Sequence, residues 1–178
     1  MDQHVPLAPA TRIDRLLREE PVVWLSSVRP DGGPHIVPIW FSWDGREVLI
    51  ASKPHAQKVR NLRANPGVML ALGEAEDDFN VGLLEGRAEL PNAPAAALLP
   101  ASHLAKYRRQ MAAIGLSPAE FLGTYSQVIR IVPTRFLPWH GRTAPRHGET
   151  SWPADRRLAA SIRRVASSLG SPLTAATG

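Results

Sequence analysis

DGGPHIVPIWFSWDGREVLIASKPHAQKVRNLRANPGV, residues Asp31 to Val68, is the stretch whose reading decides the fold. A Gly-Gly-Pro turn opens it, and His35 to Ser42 (HIVPIWFS) follows as an apolar, β-branched run that reads as a strand. Asp44-Gly45 is the strongest short hairpin signal, so Glu47 to Ala51 returns as the next strand. Pro54 then suits a first helical position, because its missing N–H would make no bond there and its φ is already fixed. The helix carries KVRNLRA until Asn65-Pro66 disfavours its continuation, and Gly67 to Leu72 (GVMLAL) resumes as an apolar strand.

The flanking sequence extends this pattern. Val22 to Val28 is a further β-branched run, so the three strands 22–28, 35–42 and 47–51 read as an antiparallel meander. Thr11, with Asp14 three residues on, reads as a capped helix that stops before Pro21. Downstream, acidic GEAEDD forms a loop, and Phe79 to Leu90 is a long strand whose Gly82 and Gly86 suggest a bulge or tight bend. Residues 94–113 are Ala- and Leu-rich and helical, Ser117 caps a second helix through Glu120, and Tyr125 to Val132 is a clear strand. Phe136 to Trp139 closes the sheet as a separate short strand. The expected class is mainly β with peripheral helices, six or seven antiparallel strands forming a small barrel or sandwich over residues 11–140. Residues 141–152 read as a Pro- and Gly-rich linker. Residues 153–178 read as a tail whose Leu158, Ile162, Val165 and Leu169 share one helical face beside arginine pairs at 156/157 and 163/164.

Composition narrows the chemistry. With no cysteine, disulfides, thiolate nucleophiles, iron–sulfur clusters and Cys-based zinc sites are excluded, so redox chemistry would need a bound organic cofactor or a metal. The net charge of +5 is uneven: 13 basic and 14 acidic residues precede Ile129, whereas eight basic and two acidic follow from it. A basic tail is a weaker nucleic-acid signal than a basic face on a folded domain, so nucleic acid is disfavoured as a partner. No stretch approaches about 18 consecutive apolar residues, and MDQHVPLAPATRIDRLL has neither a basic n-region nor an apolar h-region; the expected location is the cytoplasm, with no membrane span.

The donors gathered around residue 54 raise a functional question. A helix N-terminus leaves backbone N–H groups without intrahelical partners and carries partial positive charge, so it suits phosphate. Ser52 adds a hydroxyl, Lys53 a charge, and Gln57 and Lys58 project from the first turn. Charge pattern alone favours a capped, solvated helix; the order of elements around it carries the other reading.

That order resembles the pyridoxamine 5'-phosphate oxidase-like split β-barrel superfamily, and within it the flavin- and deazaflavin-dependent oxidoreductases. The matching pieces are DGGPHIVPIWFSWDG, KVRNLRANPGV, LEGRAEL and YSQVIRIVPTRF, spanning about residues 15 to 140, with K-x-x-N-L-x-x-N-P the more specific part. The resemblance implies a six- to seven-stranded split barrel with Lys58 as the phosphate-binding lysine. Ser52 and Lys53 would stand beside it, Gln57 would be a further contact, and Val37, Pro38, Ile39 and Trp40 would line a flat ring through backbone groups. It also implies a homodimer with each cofactor between two barrels. The members it resembles use flavin mononucleotide, coenzyme F-420, or haem. The helix exit NLRANP and the ending Tyr-Ser-x-x-Ile-Arg-Ile-x-Pro-Thr-Arg are more similar to the F-420 branch. True pyridoxamine-phosphate oxidases end in Arg-Leu-x-Pro, which SSLGSPLTAATG does not match.

The implied activity is hydride transfer between F-420 and a small conjugated organic substrate. The alternatives are a flavin mononucleotide-dependent oxidase or reductase and a non-catalytic flavin- or haem-binding module. No side chain is assigned as catalytic. The six histidines form no H-x-H or H-E-x-x-H pair, so no metal site is expected. His35, next to the presumed ring, is read as a surface group. Ser26, Ser27 and Ser126 lack a nucleophile elbow. Trp40 and Phe41 must point to opposite faces, so only one of them lines a cleft.

Overall fold

The computed structural model describes residues 9–74 and 80–139. The expected linker at 141–152, the helical tail at 153–178 and most of the acidic loop lie outside the described residues. In chain order the elements are α1 (Thr11–Glu19), β1 (Val23–Val28), β2 (Pro34–Ile39), β3 (Ser42–Trp43), β4 (Val48–Ser52), α2 (Gln57–Ala64) and β5 (Gly67–Glu74). They continue with β6 (Asn80–Glu89), α3 (Ala95–Leu98), α4 (Ala101–Lys106), α5 (Arg108–Ala113), α6 (Pro118–Thr124) and β7 (Gln127–Trp139).

The seven strands form one antiparallel sheet in the order β2-β1-β5-β6-β7-β4-β3. Its two edge strands, β2 and β3, are separated in sequence by only Trp40 and Phe41. A flat sheet of this width would hold its edges about 29 Å apart at ~4.8 Å per strand step. The connection from Ile39 to Ser42 reaches at most about 11 Å. The sheet therefore curls until its edges meet at that corner, which is the split barrel expected from the sequence.

The meander is the main correction. β1 and β2 do pair, from Val23 opposite Ile39 to Val28 opposite Pro34. The strand expected to run on to Ser42 instead breaks at Trp40–Phe41, and Ser42–Trp43 pairs with Val48–Leu49 at the far edge. The cause is a side chain distant in sequence, Tyr107 at the junction of α4 and α5: the Phe41 N–H donates to the Tyr107 hydroxyl at 2.9 Å, and that hydroxyl lies 2.8 Å from the Phe41 carbonyl and 2.9 Å from the Pro21 carbonyl. Backbone groups satisfied this way have no need of a ladder partner. Pro34 and Pro38 also suit β2 to an edge, since neither can donate to a further strand.

Side-chain alternation then sorts two cores. Leu25, Val48, Ile50, Leu70, Leu84, Ile129 and Ile131 point into the barrel with Phe41 and the α1 residues Ile13, Leu16 and Leu17. Their neighbours Ala51 and Val128 face outward onto a second cluster with Tyr107, Met111 and Phe121 from the segment between β6 and β7.

Smaller differences have local causes. Thr11 is inside α1 rather than its cap; Asp14 instead accepts from Arg18 and, at 2.8 Å, from Trp43 Nε1, and these bonds lower its pKa. Pro54 does not begin α2. It occupies the second position of a turn closed by Ala56 N–H to the Lys53 carbonyl at 3.1 Å, an equally good place for a fixed φ, and the helix starts at Gln57. The helical stretch 94–113 divides into three short helices, the first division falling at Pro100. The two closing strands are one, β7, which runs through a bulge where Glu85 faces Arg135 and Gly86 faces Pro133. The bulge expected from the glycines is thus at Gly86, where a Cβ would meet Ile131 Cγ2 at 2.7 Å. Ser117 caps α6 in a full capping box with Glu120, as expected.

His103 is fully buried behind the corner, its Nδ1 3.1 Å from Ser42 Oγ and its Nε2 without a hydrogen-bond partner among the described residues. Burial, aided by the charge of Lys106, pulls its pKa down to about 4 from an ordinary 6.5. The unfolded chain therefore binds a proton that the fold excludes between these values, so stability falls as pH drops from 6.5 toward 4. The expected loss across that window is about 3 kcal/mol. Denaturant midpoints measured from pH 7 to 4 should show it, and His103→Gln should remove most of the slope; an unchanged slope in the variant would exclude His103 as its source.

Candidate functional site

A cavity of about 690 Å3 opens where the ends of β2 and β4 meet α2 and α6. This size is ordinary for a small-molecule site. Pro38, Ile39 and Trp40 form one wall, Ala51 to Ala56 and Lys58 the second, and Ile114, Phe121, Thr124 and Tyr125 the third.

The second wall is cationic. Lys58, on the first turn of α2, is half-buried and has no hydrogen-bond or ion-pair partner among the described residues; burial lowers its pKa. Lys53 is exposed and holds Nζ 5.7 Å from the centre of the Tyr125 ring. Ser52 is buried, and its hydroxyl donates to the Lys53 carbonyl at 3.3 Å. The Gln57 and Lys58 N–H groups precede the first intrahelical bonds of α2, made by Val59 and Arg60 to the Ala56 carbonyl. No Asp or Glu is among the described lining residues. A desolvated cation beside a helix N-terminus, with no carboxylate to neutralise it, suits an anionic group such as a phosphate.

The remaining walls offer flat apolar surface. Trp40 stacks on Tyr107 at 4.9 Å with planes 6° apart and lies 5.9 Å from Phe121, which stacks on Tyr125 at 4.8 Å. Phe41 points the other way into the barrel core, so of this pair Trp40 is the one that lines the cleft. β2 is a sheet edge, which leaves one row of its backbone groups outside the ladder.

Of the residues singled out from sequence, Pro38, Ile39, Trp40, Ser52, Lys53 and Lys58 come together around this cavity. Val37 and Gln57 do not line it. Val37 packs against the barrel core, and the Gln57 amide is taken up within its own helix, Nε2 donating to Asn61 Oδ1 at 2.7 Å and Oε1 accepting from Arg60. Asn61 is fully buried and donates from Nδ2 to Ser27 Oγ at 3.0 Å, which in turn lies 3.4 Å from His35 Nδ1. The first asparagine of K-x-x-N-L-x-x-N-P thus ties α2 to β1 and fixes where Lys58 projects. The second, Asn65, accepts the Gly67 N–H at 3.0 Å and turns the chain into β5. His35 contacts this chain of bonds and not the cavity.

Sequence reasoning missed the third wall. Phe121 and Tyr125 are four residues apart just after the Ser117 capping box, a spacing that places both on one helical face, and that was the available signal. The described residues hold no group of three or more His, Asp or Glu side chains able to bind a metal ion, and no helix among them is long and apolar enough to cross a membrane.

Comparison with known proteins agrees with this architecture. The solved structure of an F-420 reductase is 26% identical, superposes with a TM-score of 0.56, and is matched over 72% of this chain and 98% of its own. A conserved hypothetical protein from Mycobacterium tuberculosis is 23% identical with a TM-score of 0.61, over 86% of this chain and 99% of its own. A FAD-binding protein from Mesorhizobium loti is 18% identical with a TM-score of 0.55, over 72% and 90%; these last two show the shared fold. No curated protein matches the chain. The family model described as pyridoxamine 5'-phosphate oxidase matches residues 10–140, and with the curled seven-stranded sheet around its edge cavity the chain belongs to that family.

Proposed function

We propose that this chain is an oxidoreductase that binds coenzyme F-420 in the cavity beside Lys58. The observation that carries the reading is the half-buried Lys58, without an ion-pair partner among the described residues, beside a cavity whose described lining holds no carboxylate and includes Trp40, Phe121 and Tyr125. Such a site suits a ligand with an anionic tail and a flat ring. The 26% identity to an F-420 reductase supports the choice of a deazaflavin over flavin mononucleotide. When bound, the coenzyme would supply two electrons as hydride to a small conjugated acceptor. The chain's own residues hold and orient: Ser52, Lys53 and Lys58 the phosphate, and the edge from Pro38 to Trp40 the ring.

The reading includes a cytoplasmic homodimer. Trp24, Val28 and Ile36 are large apolar side chains left exposed, and the register of β1 and β2 puts them on one face with Pro34 and Pro38. A contiguous apolar face of this kind is a protein-interaction signal, and an isologous contact would bury it twice. Pro38 belongs to both this face and the cavity, so a second copy would border the cofactor site.

Titration of the purified protein with F-420 and with flavin mononucleotide, read by fluorescence, tests the cofactor. The protein is expected to purify colourless from a host lacking F-420 and to bind the added coenzyme; a stoichiometric yellow flavin retained through purification would overturn that choice of cofactor. Lys58→Ala removes a charge-assisted contact of about 1.5–3 kcal/mol, hence roughly tenfold to 150-fold of affinity. The melting temperature without coenzyme should hardly move. Equal binding by variant and wild type would remove Lys58 from the site. Trp24→Glu and Ile36→Glu should convert a dimer to monomers in analytical ultracentrifugation; dimers that persist in both variants would place the interface elsewhere.

A further inference from the structure

We propose that the helices between β6 and β7 form an acid-sensitive cover over one side of the cavity. A proton taken up at His103 lifts the segment from α3 to α6 off the sheet as a unit, which takes apart the aromatic wall and leaves the Lys58 side standing. Its effect on the coenzyme rests on the cofactor reading above. The cover has a core of its own: Tyr107, Met111 and Phe121 pack on Ala51 and Val128, apart from the cluster inside the barrel. Contiguous segments of this kind open at a lower free energy than the whole molecule.

One short stretch latches the cover to the corner where the sheet edges meet. His103 Nδ1 is 3.1 Å from Ser42 Oγ, Lys106 Nζ is 4.2 Å from the centre of the Phe41 ring, and the Tyr107 hydroxyl meets the Phe41 and Pro21 backbone. Rings continue from this latch to the cavity. The His103 ring lies 5.2 Å from Tyr107 and 6.1 Å from Phe121; Trp40 stacks on the first of these and Tyr125 on the second. A change at His103 is therefore felt directly at the wall.

His103 is the weak point of the latch. It is fully buried, and its Nε2 has no hydrogen-bond partner among the described residues, so a second proton would create a charge with no acceptor. The elements packed around it supply none. β3 brings the Ser42 hydroxyl, and α6 brings Phe121, while Glu120 is exposed and bonded to Ser117. α3 has no titratable side chain, α4 adds Lys106, Tyr107 follows it, and Arg108 and Arg109 of α5 are exposed. Burial and the Lys106 charge both oppose protonation. An imidazolium without a carboxylate partner gains its stabilisation from water, so acid favours the form in which the cover has lifted. Lifting also hydrates the Phe41 and Pro21 backbone groups, so the barrel is not left with them buried and unpaired. α2 lies outside the cover and keeps its bond from Asn61 to Ser27, and Lys58 stays with it.

Hydrogen–deuterium exchange of the full chain without coenzyme, read by mass spectrometry at pH 7 and pH 5 and corrected for the acid dependence of free-peptide exchange, tests the cover. Its amides should be at least about tenfold less protected than those of β5 and β6 at both pH values. Their protection should fall about twentyfold from pH 7 to pH 5, the change in opening expected of a histidine that moves from 6.5 to about 4 on burial. His103→Gln and His103→Leu each remove the proton site, and in both variants the fall should vanish. Equal protection of cover and strands would mean a single global opening and would overturn the proposal; so would an undiminished fall in the two variants. Saturating F-420 at pH 5 should restore protection of the cover, because the lifted form lacks the ring wall. No restoration would remove the cofactor reading and leave the acid-sensitive cover standing.

Discussion

The hydroxyl of Tyr107 accepts the Phe41 N–H and faces the Phe41 and Pro21 carbonyls, within 2.9 Å of all three. Burial pushes its pKa up to about 12, so the group stays protonated and can always donate to one of the two carbonyls. Phe41 is one of the two residues that join the opposite edges of the sheet. Without that hydroxyl the corner would bury backbone groups with no partner, at about 1–3 kcal/mol each. The same ring stacks on Trp40, the neighbouring residue. One side chain therefore closes the barrel, anchors the helices between β6 and β7, and backs a wall of the cavity.

This constraint accounts for the division of the molecule into two cores. Once the sheet is curled, alternate residues of β4 and β7 face its interior, and the residues between them need separate cover from water. The helices between β6 and β7 supply it with Tyr107, Met111 and Phe121. The cavity lies where that cover stops short of α2. Its position follows from the same geometry: the end of β2 reaches it from the corner, and α2 is held over it by the buried Asn61 bonded to Ser27 of β1.

Features set by neighbours in sequence were legible in it. The Asp44-Gly45 hairpin, the bulge near Gly86, the Ser117 capping box and the paired strands β1 and β2 each depend on a few adjacent residues. The break at Trp40–Phe41 did not show, because PHIVPIWFSW is continuous as a strand pattern and the group that interrupts it is 66 residues away. Pro54 misled for a different reason: a turn and a helix start both accept its φ, and only the closure from Ala56 to Lys53 distinguishes them. The candidate site divides the same way. Its cations announce themselves at a helix start, while its ring wall joins Trp40 to Phe121 and Tyr125, which no local pattern connects.

On the proposed function, Lys58 is left open to an anion at some cost to the fold. A half-buried ammonium with no partner among the described residues loses hydration, and that burial lowers its pKa. A neighbouring carboxylate would relieve that loss, as Glu89 pairs with Arg130 on the sheet surface. The described lining residues include no Asp or Glu. An internal carboxylate would also compete with an incoming phosphate, so the arrangement that is worse for the fold is the better one for binding an anion. A cation left unneutralised beside a helix start is therefore the feature on which the proposed anion site rests.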